Sequence, residues 1–121
     1  MSVPLQDVRV ECPREGAAVV VFTGEHDLVT ASKVQTLLVS LVAQNDLVVA
    51  DFSEAEFVDS SVLNAVLRTN AAAQRSGSRF TLQLGTAPIV KRAFELSGIL
   101  THLNCTESRD EALNGAGQQT G

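Results

Sequence analysis

Segments with the apolar pattern of β-strands alternate along this chain with segments that have the apolar pattern of helices. Nearly continuous apolar runs at 17–23 and 47–52 are typical of strands that are buried on both faces. Apolar residues recur at helical spacing over 30–44, and again from 59 or 60 to about 77. Strands that alternate with helices indicate a parallel sheet with right-handed crossovers, so the sequence predicts an α/β fold.

The remaining segments extend this pattern at both ends of the chain. The alternating segment 8–12 predicts a strand with one solvated face, and the short turn 13–16 makes it antiparallel to the next strand. We therefore expect a mixed sheet of about five strands, with the first antiparallel and the rest parallel, and about four helices. The later strands are expected at 79–84 and 102–106, and the later helices from 86 to about 98 and from 108 onwards.

A single domain is expected, because 121 residues fall near the common domain size. We place this domain at 1–114, and the Gly-rich segment 115–121 is predicted to be a disordered tail. No apolar stretch approaches the ~18 residues that a membrane span requires, and the N-terminus lacks a secretory signal pattern. A cytoplasmic location without a membrane span is the expectation.

Charge and cysteine content exclude several classes of function. The net charge is −5 and the chain has no Trp or Tyr, so direct binding to nucleic acid is disfavoured. Cys12 and Cys105 are far apart and belong to no metal-binding cluster, so we expect no metal site and two reduced thiols on opposite edges of the sheet. No glycine-rich phosphate-binding motif occurs, and no cofactor is expected.

Two short polar segments follow the predicted buried strands. Glu25 and Asp27 flank His26 after one strand, and Asp59-Ser60-Ser61 precedes the second helix. The C-terminal ends of parallel strands are where α/β folds place their sites, so these segments are expected on the same end of the sheet. Asp59 or Ser60 suits a helix N-cap, and Ser61 suits a regulated phosphorylation site, because a helix N-terminus favours an added phosphate.

Other chemistries for these residues are less well supported. A carboxylate pair beside His26 could indicate a metal site or a general base, but a solvated acidic turn explains the same residues. A catalytic triad of Ser60 or Ser61 with His26 and Asp27 is disfavoured, because adjacent residues point different ways and no nucleophile-elbow motif surrounds the serines. We therefore predict no enzymatic activity and no catalytic residues.

Three segments together resemble a known family. They are Val-Val-Phe-Thr-Gly-Glu-His-Asp at 20–27, Val-Val-Ala-Asp-Phe-Ser at 48–53 and Phe-Val-Asp-Ser-Ser at 57–61. The first is similar to the apolar strand ending in Gly-Glu-x-Asp of STAS domains, specifically of the bacterial anti-sigma factor antagonists. The others are similar to that family's second apolar strand and its Asp-Ser-Ser-Gly motif. The resemblance covers roughly Leu5 to Leu113 and implies the STAS fold.

This resemblance implies a partner-switching regulator. In the family, the dephosphorylated antagonist binds an anti-sigma factor that has a histidine-kinase-like ATPase fold, and a sigma factor is freed. The kinase phosphorylates the second serine of the motif, and a metal-dependent serine phosphatase reverses the reaction. Carried over to this chain, Ser61 is the phosphoacceptor. The implied partner-binding surface around it consists of Glu25, Asp27, Asp59, Ser60 and Val62.

The sequence departs from the family pattern at Val62 and Asn64, where glycines are usual. The β-branched Val62 is expected to crowd a partner's backbone, so a divergent kinase or a role without phosphorylation are alternatives. A second alternative is a STAS-type subunit of a lipid or anion transport complex that binds an ATPase. A small hydrolase that uses Ser61 and His26 lacks a supporting motif.

Overall fold

The computed structural model describes residues 7–84, 88–96, 98, 103–106 and 109–114. Within these residues, strands and helices alternate after an initial pair of strands. The strands are β1 (Val8–Arg14), β2 (Ala17–His26), β3 (Leu47–Val58), β4 (Arg79–Gln83) and β5 (Asn104–Thr106). The helices are α1 (Leu28–Gln44), α2 (Ser60–Ser76), α3 (Pro88–Leu96) and α4 (Arg109–Asn114).

The strands form one sheet in chain order, β1-β2-β3-β4-β5. β1 is antiparallel to β2, and every later pair is parallel. Val20 of β2 pairs with Ala50 of β3, which pairs in turn with Leu82 of β4. The predicted α/β fold with a mixed sheet is confirmed.

The core has two layers because side chains alternate across the sheet. On one face, Phe22 and Phe52 stack with ring centroids 4.3 Å apart, and Phe94 of α3 packs against Phe52 at 5.2 Å. The buried stripes of α1, α2 and α3 pack in this same cluster. On the other face, Val19 and Val49 pack with Ala112 of α4. Burial of both faces explains why these strands are almost continuously apolar in sequence.

β2 and β3 are longer than the sequence predicts. The apolar runs predicted strands at 17–23 and 47–52, but the two strands stay paired as far as His26 and Val58. The register between β2 and β3 shifts twice, once between Val21 and Thr23 and once between Gly24 and Glu25. Gly24 lies between these two shifts and has a φ of +71°. Ladder hydrogen bonds between neighbouring strands thus override the local turn signals.

Other predictions differ at element boundaries. Helix α1 begins at Leu28 with Asp27 as its N-cap, two residues before the predicted start at Thr30. Cys12 is exposed on β1 and Cys105 is half-buried on β5, so they lie on opposite edges of the sheet, as predicted, and form no disulfide. The predicted tail at 115–121 and the predicted start of the last helix at 108 lie outside the described residues.

Candidate functional site

The two polar segments meet at one end of the sheet, as predicted. His26 is the last residue of β2 and pairs with Val58, the last residue of β3. Immediately beyond this pair, the backbone N–H of Asp59 donates a hydrogen bond of 2.9 Å to the carbonyl oxygen of His26. The N-termini of α1 and α2 are therefore fixed next to each other.

Asp59 is the N-cap of α2. Its backbone is extended (φ −86°, ψ 159°), and its Oδ1 accepts hydrogen bonds from the backbone N–H of Ser61 at 2.8 Å and from the Ser61 hydroxyl at 3.0 Å. The Ser60 hydroxyl adds a longer contact of 3.4 Å to the same oxygen. These hydrogen bonds stabilise the carboxylate and lower the pKa of Asp59 below its ordinary value, and the bond from the Ser61 backbone has the largest effect.

The lowered pKa of Asp59 predicts a pH dependence of stability. Because the folded state favours the carboxylate, Asp59 adds to stability above the ordinary pKa of an aspartate, and this contribution is lost as the pH falls through the lowered pKa. Asp59→Asn should therefore be less stable than the wild type near neutral pH, and the difference should shrink under acid conditions. Urea denaturation at a series of pH values measures this. Glu56→Gln, at an exposed position on β3, is the matched control, and an equal pH dependence in both variants would contradict the prediction.

The second acidic segment also caps a helix. Asp27 Oδ1 accepts a hydrogen bond of 3.0 Å from the backbone N–H of Val29 in the first turn of α1. Glu25 and Asp27 are exposed, as is Ser60, while Asp59 and Ser61 are half-buried. The structure therefore brings these five predicted residues to one end of the molecule.

Val62 requires a correction. We predicted that its side chain contributes to a partner surface and crowds a partner's backbone. The side chain is fully buried in the main core cluster, because position 62 lies on the inward stripe of α2 together with Val66. Val62 therefore stabilises the fold and presents no side chain to a partner.

The His26 side chain is buried and packs inside the fold, so it does not reach the surface where a substrate could exchange a proton with it. Its side chain is 1% exposed, its ring lies edge-on to Phe22 at 5.2 Å, and Nε2 is 2.9 Å from the carbonyl oxygen of Thr23. A general base must reach a substrate's proton, which this burial prevents. The part of the chain that the structure describes contains no group of His, Cys, Asp and Glu side chains that could hold a metal ion.

A groove between α1 and α2 was not predicted from the sequence. It has a volume of about 360 Å³, and Ser61 lies in its wall. Across it, Nη1 of Arg68 donates a hydrogen bond of 3.4 Å to Oε1 of Gln35. The other residues that line it are Leu28, Ala31, Ser32, Thr36 and Asn64.

Exposed apolar side chains surround this end of the molecule. Leu28 and Val29 in the first turn of α1 are 73% and 79% exposed, and Phe57 near the end of β3 is 43% exposed. Phe57 pairs with Glu25 across the sheet, and Leu28 lines the groove with Ser61. The sequence signal for this exposure is that Leu28 and Val29 lie before the buried stripe of α1, which begins at Ala31. This signal can be used only when the first residue of the helix is known.

Comparison with known families agrees with this architecture. Residues 12–104 match the family model described as the Mlab, STAS domain, so the chain belongs to the STAS domain family. The family resemblance that the sequence indicated is thus confirmed.

Similar solved structures include anti-sigma factor antagonists. One from Mycobacterium paratuberculosis is 26% identical, with a TM-score of 0.78 and coverage of 93% of this chain and 97% of that chain. SpoIIAA in its unphosphorylated form is 18% identical, with a TM-score of 0.75 and coverage of 94% and 99%. A sulfate transporter family protein from Wolinella succinogenes is 15% identical, with a TM-score of 0.73 and coverage of 88% of both chains. The fold is thus shared by regulators and by a member of a transporter family.

Within the described residues, none of the helices is both long enough and apolar enough to cross a membrane.

Proposed function

We propose that this protein is an anti-sigma factor antagonist that is switched by phosphorylation of Ser61. In its dephosphorylated form it binds an anti-sigma factor with a histidine-kinase-like ATPase fold, and a sigma factor is released. A metal-dependent serine phosphatase restores the binding-competent form. The protein works in the cytoplasm, catalyses no reaction itself and does not contact nucleic acid.

One observation carries this proposal: the hydroxyl of Ser61 is held at a helix N-terminus, half-buried, beside exposed apolar side chains. In the transfer step, Ser61 Oγ attacks the γ-phosphorus of ATP bound to the partner, ADP leaves, and the hydroxyl proton passes to a base. The product carries the phosphate on Ser61 Oγ, which lies 3.0 Å from Asp59 Oδ1 in the unmodified chain. This adds a charge of about −1.5 to −2 at the centre of the surface.

The surface around Ser61 has the composition of a docking site. Leu28, Val29 and Phe57 provide exposed apolar area, and Glu25 and Asp27 form a charged rim. Interfaces commonly combine an apolar centre with a polar rim. We infer that the anti-sigma factor contacts these apolar side chains together with Ser60 and Ser61.

The double substitution Leu28→Ala and Val29→Ala should weaken binding to the anti-sigma factor about tenfold, because full burial of a Leu or Val side chain contributes about 1.5–3 kcal/mol and truncation to Ala loses part of this at each position. The free energy of unfolding should change little, since both side chains are largely exposed. Titration calorimetry and urea denaturation measure the two quantities. Leu96→Ala is the matched control, because Leu96 is 74% exposed but lies at the end of α3. Equal affinity of the double variant and the control would remove Leu28 and Val29 from the proposed surface.

A transport role is the second candidate, favoured by the family description as Mlab and by the likeness to a sulfate transporter family protein. In that role the same surface would bind the ATPase of a lipid or anion transport complex. The two candidates differ in the identity of the ATPase and in whether Ser61 controls its binding.

A pull-down from native-host lysate tests the proposal, with the wild type and Ser61→Asp as baits and mass spectrometry as the readout. We expect the wild type to capture a histidine-kinase-like ATPase and the variant to lose it. Capture of that ATPase by both baits would reject Ser61 as the control point. Capture of a transporter ATPase instead would replace the proposed function with the second candidate.

A further inference from the structure

We propose that Arg68 binds the phosphate of phosphorylated Ser61, so that the phosphate occupies the groove between α1 and α2. This inference rests on the proposed phosphorylation of Ser61 and adds where the phosphate goes. The groove, its charge and the hydrogen bonds of Ser61 each support it.

The hydrogen bond between Ser61 and Asp59 cannot survive phosphorylation. In the unmodified chain the Ser61 hydroxyl donates to Asp59 Oδ1 at 3.0 Å. Phosphorylation replaces the hydroxyl hydrogen with a phosphoryl group, so this donor is lost. A phosphate left in place would lie against the Asp59 carboxylate, and an aspartate is ordinarily charged at neutral pH. Like charges at this separation repel, so the phosphate is driven away from Asp59.

The groove is the place where an opposite charge is available. Ser61 lines the groove, and among the described residues that line it Arg68 is the one with a charged side chain. Within the described part of the chain, Arg68 forms no ion pair, and it donates a long hydrogen bond of 3.4 Å to Gln35. Its guanidinium is therefore available to an anion that enters the groove, and arginine binds phosphate oxygens with two parallel hydrogen bonds.

The spacing along α2 suits this pairing. Ser61 and Arg68 are two helical turns apart on one stripe, so their Cα atoms are separated by about 10 Å along the axis. Long helical side chains point back towards the N-terminus, which directs Arg68 towards Ser61. Asn64 lies between them in the same wall and offers a further amide donor.

Occupation of the groove gives the phosphate an effect beyond its charge. A phosphate held by Arg68 replaces the contact of Arg68 with Gln35 and fills space beside Leu28. A partner segment that docks beside Leu28 then meets a filled groove as well as an added negative charge. Phosphorylation would thus change the shape of the docking surface through a residue that is distant from Ser61 in sequence.

The test uses the full chain with phosphoserine incorporated at position 61 by genetic encoding, and it needs no kinase. The pH titration of the phosphate is followed by ³¹P NMR in the wild-type background and in Arg68→Gln, with Arg75→Gln as the matched control. Arg75 is an exposed arginine in the last turn of the same helix. A nearby cation stabilises the phosphate dianion, so the titration midpoint should lie about 0.5 pH units or more lower with Arg68 present than in Arg68→Gln. Arg75→Gln should match the wild type, and Arg68→Lys should restore part of the shift.

Equal midpoints in the wild type and Arg68→Gln would overturn the inference. This outcome is independent of the proposed function, because partner binding is measured separately. A shifted midpoint in a phosphoprotein that still binds the anti-sigma factor would instead reject the proposed switch and leave the pairing with Arg68 intact.

Discussion

Replacement of Ser61 by aspartate is expected to weaken binding to the anti-sigma factor by about 100-fold, or ~2.7 kcal/mol. The carboxylate cannot donate the hydrogen bond of 3.0 Å that the Ser61 hydroxyl gives to Asp59. It also places a second negative charge against Asp59 at a surface whose rim already carries Glu25 and Asp27. Docking of the partner would remove these carboxylates from water, and an added charge that is buried without an opposite charge costs several kcal/mol, so a loss of this size is expected.

Ser61→Ala separates the effect of charge from the loss of the hydroxyl. It removes the same hydrogen bond but adds no charge, so we expect its affinity to stay within about tenfold of the wild type. Titration calorimetry with the purified anti-sigma factor measures all three proteins, and circular dichroism checks that each is folded. Equal affinities of Ser61→Asp and Ser61→Ala would show that charge at this position does not control binding.

The largest effect on stability is expected for Phe52→Ala. Phe52 lies on β3, the central strand of the sheet, and is fully buried between Phe22 at 4.3 Å and Phe94 at 5.2 Å. Truncation removes these ring contacts and leaves a cavity, which typically costs about 3–5 kcal/mol. Because domains of this kind are stable by only about 5–15 kcal/mol, the variant should be partly unfolded or close to it.

Phe57→Ala is the matched control for Phe52→Ala. It makes the same substitution on the same strand, but Phe57 is 43% exposed and faces the proposed docking surface. We expect a loss of stability of about 1 kcal/mol or less. Urea denaturation measures both variants, and a similar loss in the two would contradict the assignment of Phe52 to the core.

The sequence was sufficient to predict the fold because its strongest signals are local. The apolar runs at 17–23 and 47–52 and the helical spacing that follows each of them require only neighbouring residues to be interpreted. The end of β2 was predicted wrongly because its continuation depends on pairing with β3, about thirty residues away, which overrides the turn signal at Gly24. Parallel pairing of this kind leaves no trace in a short window of sequence.

The candidate site was predicted less completely than the fold. The convergence of Asp27 and Asp59 followed from the rule that parallel strands end at the same edge. Val62 was placed on the surface because the family motif implied a contact there, whereas its side chain belongs to the buried stripe of α2. The groove was missed because it joins Gln35 to Arg68 from two helices, and such contacts form only when the helices pack together.

Phosphoryl transfer to Ser61 is the most direct test of the account. The purified chain is incubated with each purified histidine-kinase-like ATPase of its host, ATP and Mg²⁺, and intact-mass analysis with phosphopeptide mapping follows. The account predicts that one of these ATPases binds the chain and adds a single phosphoryl group to Ser61, that Ser60→Ala is still modified, and that Ser61→Ala is not. An ATPase that binds the chain but modifies Ser60, another residue or none would contradict the claim that Ser61 is the switch.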